Sequence, residues 1–179
     1  MKDLTIVRVD MGTISSELLR SWANLYCEIW KEPPWNEDFW KPEEVSEDFR
    51  SEMCNPGAGA FLSVCRGSVV GFTHGYLVSC EKLREIAGSD MLDYLFENTP
   101  SLFYVDELGV ASSYRGNRIS LNLSSELIGH AKGLGMSGMV LRTDIDARAA
   151  RRVYTELGFS ELSVHDSNYP NRTYWFLSL

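Results

Sequence analysis

The sequence has few of the residues that build metal sites or disulfide frameworks. Its 179 residues include only four cysteines and three histidines, and the cysteines are far apart, with no CxxC pair. This spacing does not fit a zinc site and predicts reduced thiols that mostly pack inside a cytoplasmic protein. We therefore expect no metal.

Long apolar runs are also missing. No stretch approaches the ~20 apolar residues that a membrane helix needs. The first residues, MKDLTI, lack the apolar run of a signal peptide. We therefore expect no membrane partner. The length suits one core, so we assign residues 1–179 to a single domain. The oligomeric state stays open, with a homodimer as one option.

Acidic residues outnumber basic ones, and the two kinds are unevenly distributed. The net charge of −8 argues against a nucleic-acid partner. Residues 28–52 contain nine acids and three bases, whereas residues 115–152 contain seven bases and three acids. The acidic region would attract a cation and the basic region an anion. The alternative is that both are ordinary solvated helix faces.

The apolar periodicity predicts alternating strands and helices. Strands are expected at 4–9, 61–65, 69–78, 102–110, 139–141, 159–164 and 173–177. Helices are expected from Ser15 or Ser16 to about 30, from about 42, over most of 81–97 with a break near Gly88, at 119–134, and from Asp144 or Asp146 to about 157. These elements indicate an α/β protein, with a mixed sheet and helices on both faces.

The strand at 102–110 leads into a basic, glycine-containing turn and then a helix. The turn reads Tyr-Arg-Gly-Asn-Arg-Ile-Ser over 114–120. Amides at a helix N-terminus and the helix dipole both favour a phosphate group there. The turn therefore predicts an anion site, although an ordinary strand-to-helix loop has a similar appearance.

A second motif, Ala-x-x-x-Tyr-x-x-Leu-Gly-Phe, covers 150–159. Together with the turn, it resembles the GNAT superfamily of acyl-CoA-dependent N-acetyltransferases, mainly over residues 102–159. The resemblance implies a central, mostly antiparallel sheet with helices on both faces and acetyl-CoA as cosubstrate. Two positions depart from the family pattern: Arg118 replaces a glycine of the turn, and Ala147 replaces a common asparagine.

The resemblance also assigns residues to the cosubstrate. The backbone of Leu108, Gly109 and Val110 would pair with the pantetheine arm like an added strand. The pyrophosphate would be held by Arg115, Gly116, Asn117, Arg118, Ile119, Ser120 and Leu121. Arg118 would either add a cation near the phosphates or obstruct the turn.

Three residues are candidates for the chemistry. Tyr154 is the expected general acid for the departing thiolate, with a core aromatic as its alternative role. Glu107 is our first candidate for the base and Asp106 the second. Strict strand alternation would place Asp106 with Leu108 on one face of the sheet and Glu107 on the other.

The acceptor site is expected in the acidic segment that follows the first helix. There, Trp35, Glu37 and Asp38 would hold a cationic amine through charge and cation–π attraction. The predicted reaction is acetylation of a primary amine on a small, aminoglycoside-like or polyamine-like molecule. The alternatives are a peptide or protein N-acetyltransferase, a non-catalytic CoA-binding sensor, or a domain used only for protein contacts.

Overall fold

The computed structural model describes residues 3–10, 12 and 14–179. Seven strands form one sheet: β1 (Leu4–Val9), β2 (Gly59–Cys65), β3 (Ser68–Val78), β4 (Leu102–Val110), β5 (Gly138–Asp144), β6 (Ser160–Glu161) and β7 (Arg172–Ser178). Five α-helices surround it: α1 (Ser16–Trp30), α2 (Pro42–Glu52), α3 (Cys80–Ala87), α4 (Ile119–Gly133) and α5 (Arg148–Glu156). The predicted class, a mixed sheet with helices, is confirmed.

The sheet order is β1-β2-β3-β4-β5-β7-β6. Every neighbouring pair is antiparallel except β4 and β5, which run parallel. Helices α1 and α2 pack on one face, where α3 also lies, and helices α4 and α5 pack on the other. The parallel pair of β4 and β5 therefore lies in the middle of the sheet, with helices on both faces. This pair positions the site described below.

Local sequence explains where the helices begin and end. The Ser15 hydroxyl accepts a hydrogen bond from the Leu18 amide and caps α1. Pro42 occupies the first turn of α2, where the missing N–H has no cost. Gly88, with φ of 72°, ends α3 in the left-handed conformation that glycine adopts easily.

Three element predictions need correction. The helical stretch expected over 81–97 breaks at Gly88 as predicted, but the part after the break is only a 3₁₀ turn, Asp93–Phe96. The strand expected at 159–164 is the two-residue β6. Helix α5 is not capped by Asp144 or Asp146, because its N-cap is Ala147, which makes no side-chain cap. Among the described residues, no helix is long and apolar enough to cross a membrane.

A β-bulge in β4 is the fold feature with the greatest effect on the site. Glu107 is opposite His74 and Val105 is opposite Gly75, so Asp106 is an extra residue in the strand. The bulge requires close backbone approach at Gly75, where an added Cβ would overlap the carbonyl oxygen of Tyr104.

Gly75→Ala is therefore expected to lower the free energy of unfolding by about 2 kcal/mol or more, since the backbone must move to relieve the overlap. Urea denaturation measures this change. Gly129→Ala is the matched control, because Gly129 is exposed in α4 and a Cβ there meets no atom within 4 Å. The control should gain about 0.5–1 kcal/mol from helix propensity. Equal effects of the two substitutions would contradict the role given to the bulge.

Candidate active site

A groove forms where β4 and β5 separate. The two strands pair only over residues 103–105 and 139–141, after which β4 stays with β3 and β5 with β7. The groove encloses about 630 Å³, which is within the range of small-molecule sites. Its lining includes the predicted strand residues Leu108, Gly109 and Val110, most of the predicted turn, and the first turns of α5.

The turn after β4 presents unpaired backbone amides. Within the described part of the chain, no amide from Gly116 to Leu121 donates to another backbone group, and the series of helical bonds begins with Asn122 N to Arg118 O at 3.0 Å. The Asn117 side chain braces the turn by donating to the Tyr114 carbonyl oxygen at 3.0 Å. Six free amides beside a groove can bind a phosphate group through their hydrogens.

The arginine that replaces the usual glycine does not prevent this conformation. Arg118 adopts φ of 59° and ψ of 16°, the left-handed conformation that glycine would supply. Its guanidinium crosses to α5, where Nη2 lies 3.0 Å from the Glu156 carboxylate. Arg118 therefore neither points away from the groove nor closes the amide turn, but bridges two walls of the groove.

Arg115 is also engaged within the protein. Its Nε donates to the Val110 carbonyl oxygen at 3.0 Å, and its Nη1 lies 2.6 Å from the carboxylate of Glu32. Glu32, Pro33, Pro34 and Trp35 form the wall facing the turn. Arg115 thus connects the amide turn to the segment between α1 and α2.

The acceptor residues predicted from sequence do not all reach the groove. Trp35 lines it and packs on Trp30, with ring centroids 4.6 Å apart. The Glu37 carboxylate accepts a hydrogen bond from Trp40 Nε1 at 2.6 Å, and Asp38 is exposed outside the groove lining. The structure therefore brings one of the three predicted residues to the site.

Tyr154 lies on the buried side of α5. It is 7% exposed and packs against Phe159 and Trp175. Within the described residues its hydroxyl makes no hydrogen bond, and burial raises the pKa of the phenol above its ordinary value. Its neighbours in α5, Ala150 and Val153, line the groove. The phenol is therefore a neutral, buried proton donor that does not itself line the groove but belongs to a helix whose other residues do.

The bulge overturns the predicted alternation along β4. Leu108 packs with Val105 and Val110 in the core beneath α4. Glu107 lies on the opposite face, where the Tyr26 hydroxyl of α1 donates to its carboxylate at 3.2 Å. Asp106 approaches His74 on that same face, with 4.0 Å between carboxylate oxygen and Nε2. Both acids therefore lie under α1 and α2, because the extra residue shifts the strand by one position.

The two acids differ in how deeply they are buried. Burial raises the pKa of Asp106 to about 6, although the neighbouring His74 and a hydrogen bond from Tyr76 act in the opposite direction. Burial, with the charges of Asp106 and Glu52 nearby, raises the pKa of Glu107 well above its ordinary value. With a pKa of about 6, Asp106 is mostly ionised at pH 7 and can accept a proton.

Two members of this cluster were not identified from sequence. Glu52, at the end of α2, lies 3.0 Å from His74 Nε2, and the ligand atoms of Glu52, His74 and Asp106 lie within 4.8 Å of one another. A histidine bound to a metal usually donates its other nitrogen to an acceptor. His74 Nδ1 is buried with no partner in the described residues, so a hydrogen-bonded network without a metal fits this trio better. Separation by 22 and 54 positions explains why sequence reasoning missed the cluster.

Sequence comparison identifies a family for most of the chain. A family model described as "Acetyltransferase (GNAT) family" matches residues 19–159. A search of curated proteins gives no match. The matched range includes the bulge, the amide turn and Tyr154.

Solved structures show the same fold over almost the full length. The NatC complex bound to Gag peptide and CoA aligns with a TM-score of 0.70 and 17% identity, covering 99% of each chain. The ribosomal-protein-alanine N-acetyltransferase from Brucella melitensis gives 0.70 and 16%, covering 98% of this chain and 99% of its own. The yncA protein of Salmonella typhimurium, with its cofactor acetyl-CoA, gives 0.68 and 16%, covering 99% and 94%.

Proposed function

The chain belongs to the acetyltransferase (GNAT) family and is an acetyl-CoA-dependent acetyltransferase, and we propose that it acetylates a primary amine of a small cationic molecule, such as a polyamine or an aminoglycoside. The observation that carries the choice of acceptor is the acid cluster of Glu52, Asp106 and Glu107 on the α1/α2 face of the bulge. Such a cluster attracts an ammonium group.

The groove has features suited to acetyl-CoA. The free amides of residues 116–121 would hold the pyrophosphate. The edge of β4 that no longer pairs with β5, at Leu108–Val110, is open to the groove and would pair with the pantetheine amides. Gly109 within this edge is required by the packing of α1, since an added Cβ would overlap the ring of Phe72 and the methyl of Ile29.

The chemistry would use groups on both faces of β4 near that edge, with Asp106 on the α1/α2 face and Tyr154 on the α5 face. The ammonium must lose a proton before its nitrogen attacks the thioester carbonyl, and Asp106 is the carboxylate poised near neutral pH to take it. A backbone amide near Leu108 would stabilise the tetrahedral oxyanion. Tyr154 would give its proton to the departing thiolate, since a phenol with a raised pKa stays protonated at neutral pH.

Calorimetric titration with acetyl-CoA and with CoA tests the cosubstrate site. We expect micromolar dissociation constants, about 8 kcal/mol of binding free energy, because the six amides are free and the groove is formed without the ligand. Titration with an unrelated nucleotide such as guanosine monophosphate is the control. Absence of binding at millimolar CoA would contradict the assignment of the groove.

The acceptor is tested by measuring thiol release with a panel of amines. Spermidine, an aminoglycoside, and a peptide with a free N-terminus represent the competing classes. Turnover of a polyamine or aminoglycoside, with KM raised by Glu52→Gln, would support the cationic acceptor. Turnover of peptide N-termini alone would favour the peptide alternative, for which exposed Phe39 (63%) next to Trp40 offers an apolar contact.

A further inference from the structure

The groove holds four arginines, two of which are already neutralised by the protein. Arg115 is paired with Glu32, and Arg118 with Glu156. Both pairs cross between walls of the groove, and all four residues line it. The cations that the sequence places in the phosphate turn therefore have their charges largely offset before any ligand binds.

The other two groove arginines are on α5 and have no such partner. Arg148 and Arg152 are exposed, line the groove and are one helical turn apart, so they lie on the same face of the helix. Neither side chain makes an ion pair or a hydrogen bond in the part of the chain that the structure describes. Asp146, at the start of α5, also lines the groove and offsets part of their charge.

Arg151, which lies between these two arginines in the sequence, is paired within the protein and does not face the groove. Arg151 points to the sheet side of α5, where Nη2 lies 2.8 Å from the Glu161 carboxylate and Nη1 donates to the Ile145 carbonyl oxygen. Its guanidinium also stacks over Trp175 at 5.7 Å. Three arginines within five positions thus divide into one structural residue and two that face the groove without partners.

Coenzyme A carries two separate anionic groups, a pyrophosphate diester and a 3′-phosphate monoester on the ribose. The amides of residues 116–121 suit the diester, which needs several single hydrogen bonds. A monoester carries close to two negative charges near pH 7, and forked guanidinium groups bind such groups in a bidentate manner.

Resting on the proposed function, we propose that Arg148 and Arg152 form a separate subsite that binds the ribose 3′-phosphate. This subsite makes the enzyme select coenzyme A over its 3′-dephospho form. The amide turn and the edge of β4 contribute to binding both forms equally, because neither recognises the monoester.

Calorimetry with CoA and with 3′-dephospho-CoA tests the subsite. The wild-type protein should bind CoA at least about tenfold more tightly, as expected for two charge-assisted contacts. The double variant Arg148→Ala/Arg152→Ala should lose this preference while its affinity for 3′-dephospho-CoA stays unchanged. Arg50→Ala removes an exposed helical arginine outside the groove and should keep the full preference.

The outcomes separate this inference from the function on which it rests. If the wild-type protein binds both ligands equally well, the subsite is overturned but the groove assignment stands. If CoA does not bind at all, both are overturned. The variant Arg148→Lys/Arg152→Lys keeps both charges and should retain part of the preference, and a loss equal to that of the alanine pair in a folded protein would contradict recognition through charge.

Discussion

Asp106→Asn is expected to lower kcat by at least about 100-fold, the lower range for loss of a general base. The asparagine keeps the shape of the side chain but cannot accept the proton of the acceptor ammonium. Affinity for CoA should stay unchanged, because the Asp106 side chain lies on the α1/α2 face and does not line the groove. Steady-state kinetics with the best amine of the panel and calorimetry with CoA give the two readouts.

Glu107→Gln is the matched control for this substitution. Burial and the charges of Asp106 and Glu52 raise the pKa of Glu107 well above its ordinary value, which favours the protonated form of its carboxyl. A glutamine imitates that protonated form and can still pair with the Tyr26 hydroxyl. We expect at most a few-fold change in kcat. If Glu107→Gln abolished activity and Asp106→Asn did not, Glu107 would be the base, as first predicted from the sequence.

The pH dependence of the wild-type enzyme follows from the same group. The base works when deprotonated, so kcat should rise with pH through about 6, the pKa of Asp106. The titratable and charged groups that act on the Asp106 carboxyl are Glu52 of α2, His74 and Tyr76 of β3, Glu107 of β4 and Arg142 of β5, while Tyr26 of α1 bonds the adjacent Glu107. A kcat profile that is flat between pH 5 and 7.5 would rule Asp106 out as the base.

The stability of Asp106→Asn should change in the opposite direction to its activity. The folded pKa of Asp106, about 6, lies above the ordinary value of 3.8, so the folded state binds the proton more tightly than the unfolded chain. The stability that this proton provides is present below about pH 4 and is lost as pH rises to about 6. At pH 7 the ionised carboxylate costs up to about 3 kcal/mol. The asparagine variant should therefore unfold at higher temperature than the wild type at pH 7, and not at pH 4.

Tyr154→Phe should lower kcat by about 100-fold while leaving CoA affinity within twofold. The substitution removes only the hydroxyl, which makes no hydrogen bond in the described structure, so the packing on Phe159 and Trp175 is kept. A general acid typically contributes at least this factor. Unfolding of the variant should differ little from that of the wild type, because the ring and its burial are unchanged.

Trp175→Phe is a control for Tyr154→Phe, since it changes the same aromatic cluster without removing a proton donor. A loss of kcat in both variants would indicate that packing around α5, and not the phenol, is what matters. Unchanged turnover in Tyr154→Phe would leave the thiolate without an assigned donor. Thiol-release kinetics with acetyl-CoA at saturating acceptor measure either outcome directly.

Much of the fold could be predicted because the relevant patterns are local. Apolar residues at helical spacing from Leu18 to Ile29 define α1, and a serine cap, whose hydroxyl accepts from a backbone amide, defines where it begins. The turn before α4 was found because a glycine with polar neighbours between a strand and a helix marks a turn. The sequence did not show that β6 has only two residues. Strand-like residues have the same pattern whether or not a partner strand pairs with them in the fold.

The sequence by itself determined the element order, the amide turn, the position of Tyr154 and the family, because each depends on patterns that are local to a strand, a turn or a helix. Only the tertiary structure decided which acids act together. The extra residue at Asp106 moves both β4 carboxylates to one face, and His74 and Glu52 join them from distant segments. The structure likewise decided that Arg115 and Arg118 are paired, whereas Arg148 and Arg152 are free to bind. Spacing in the sequence determines which residues are neighbours along one strand or helix. A bulge and the packing of separate elements determine how deeply each ionisable side chain is buried and which charges lie beside it, and these two properties set its chemistry.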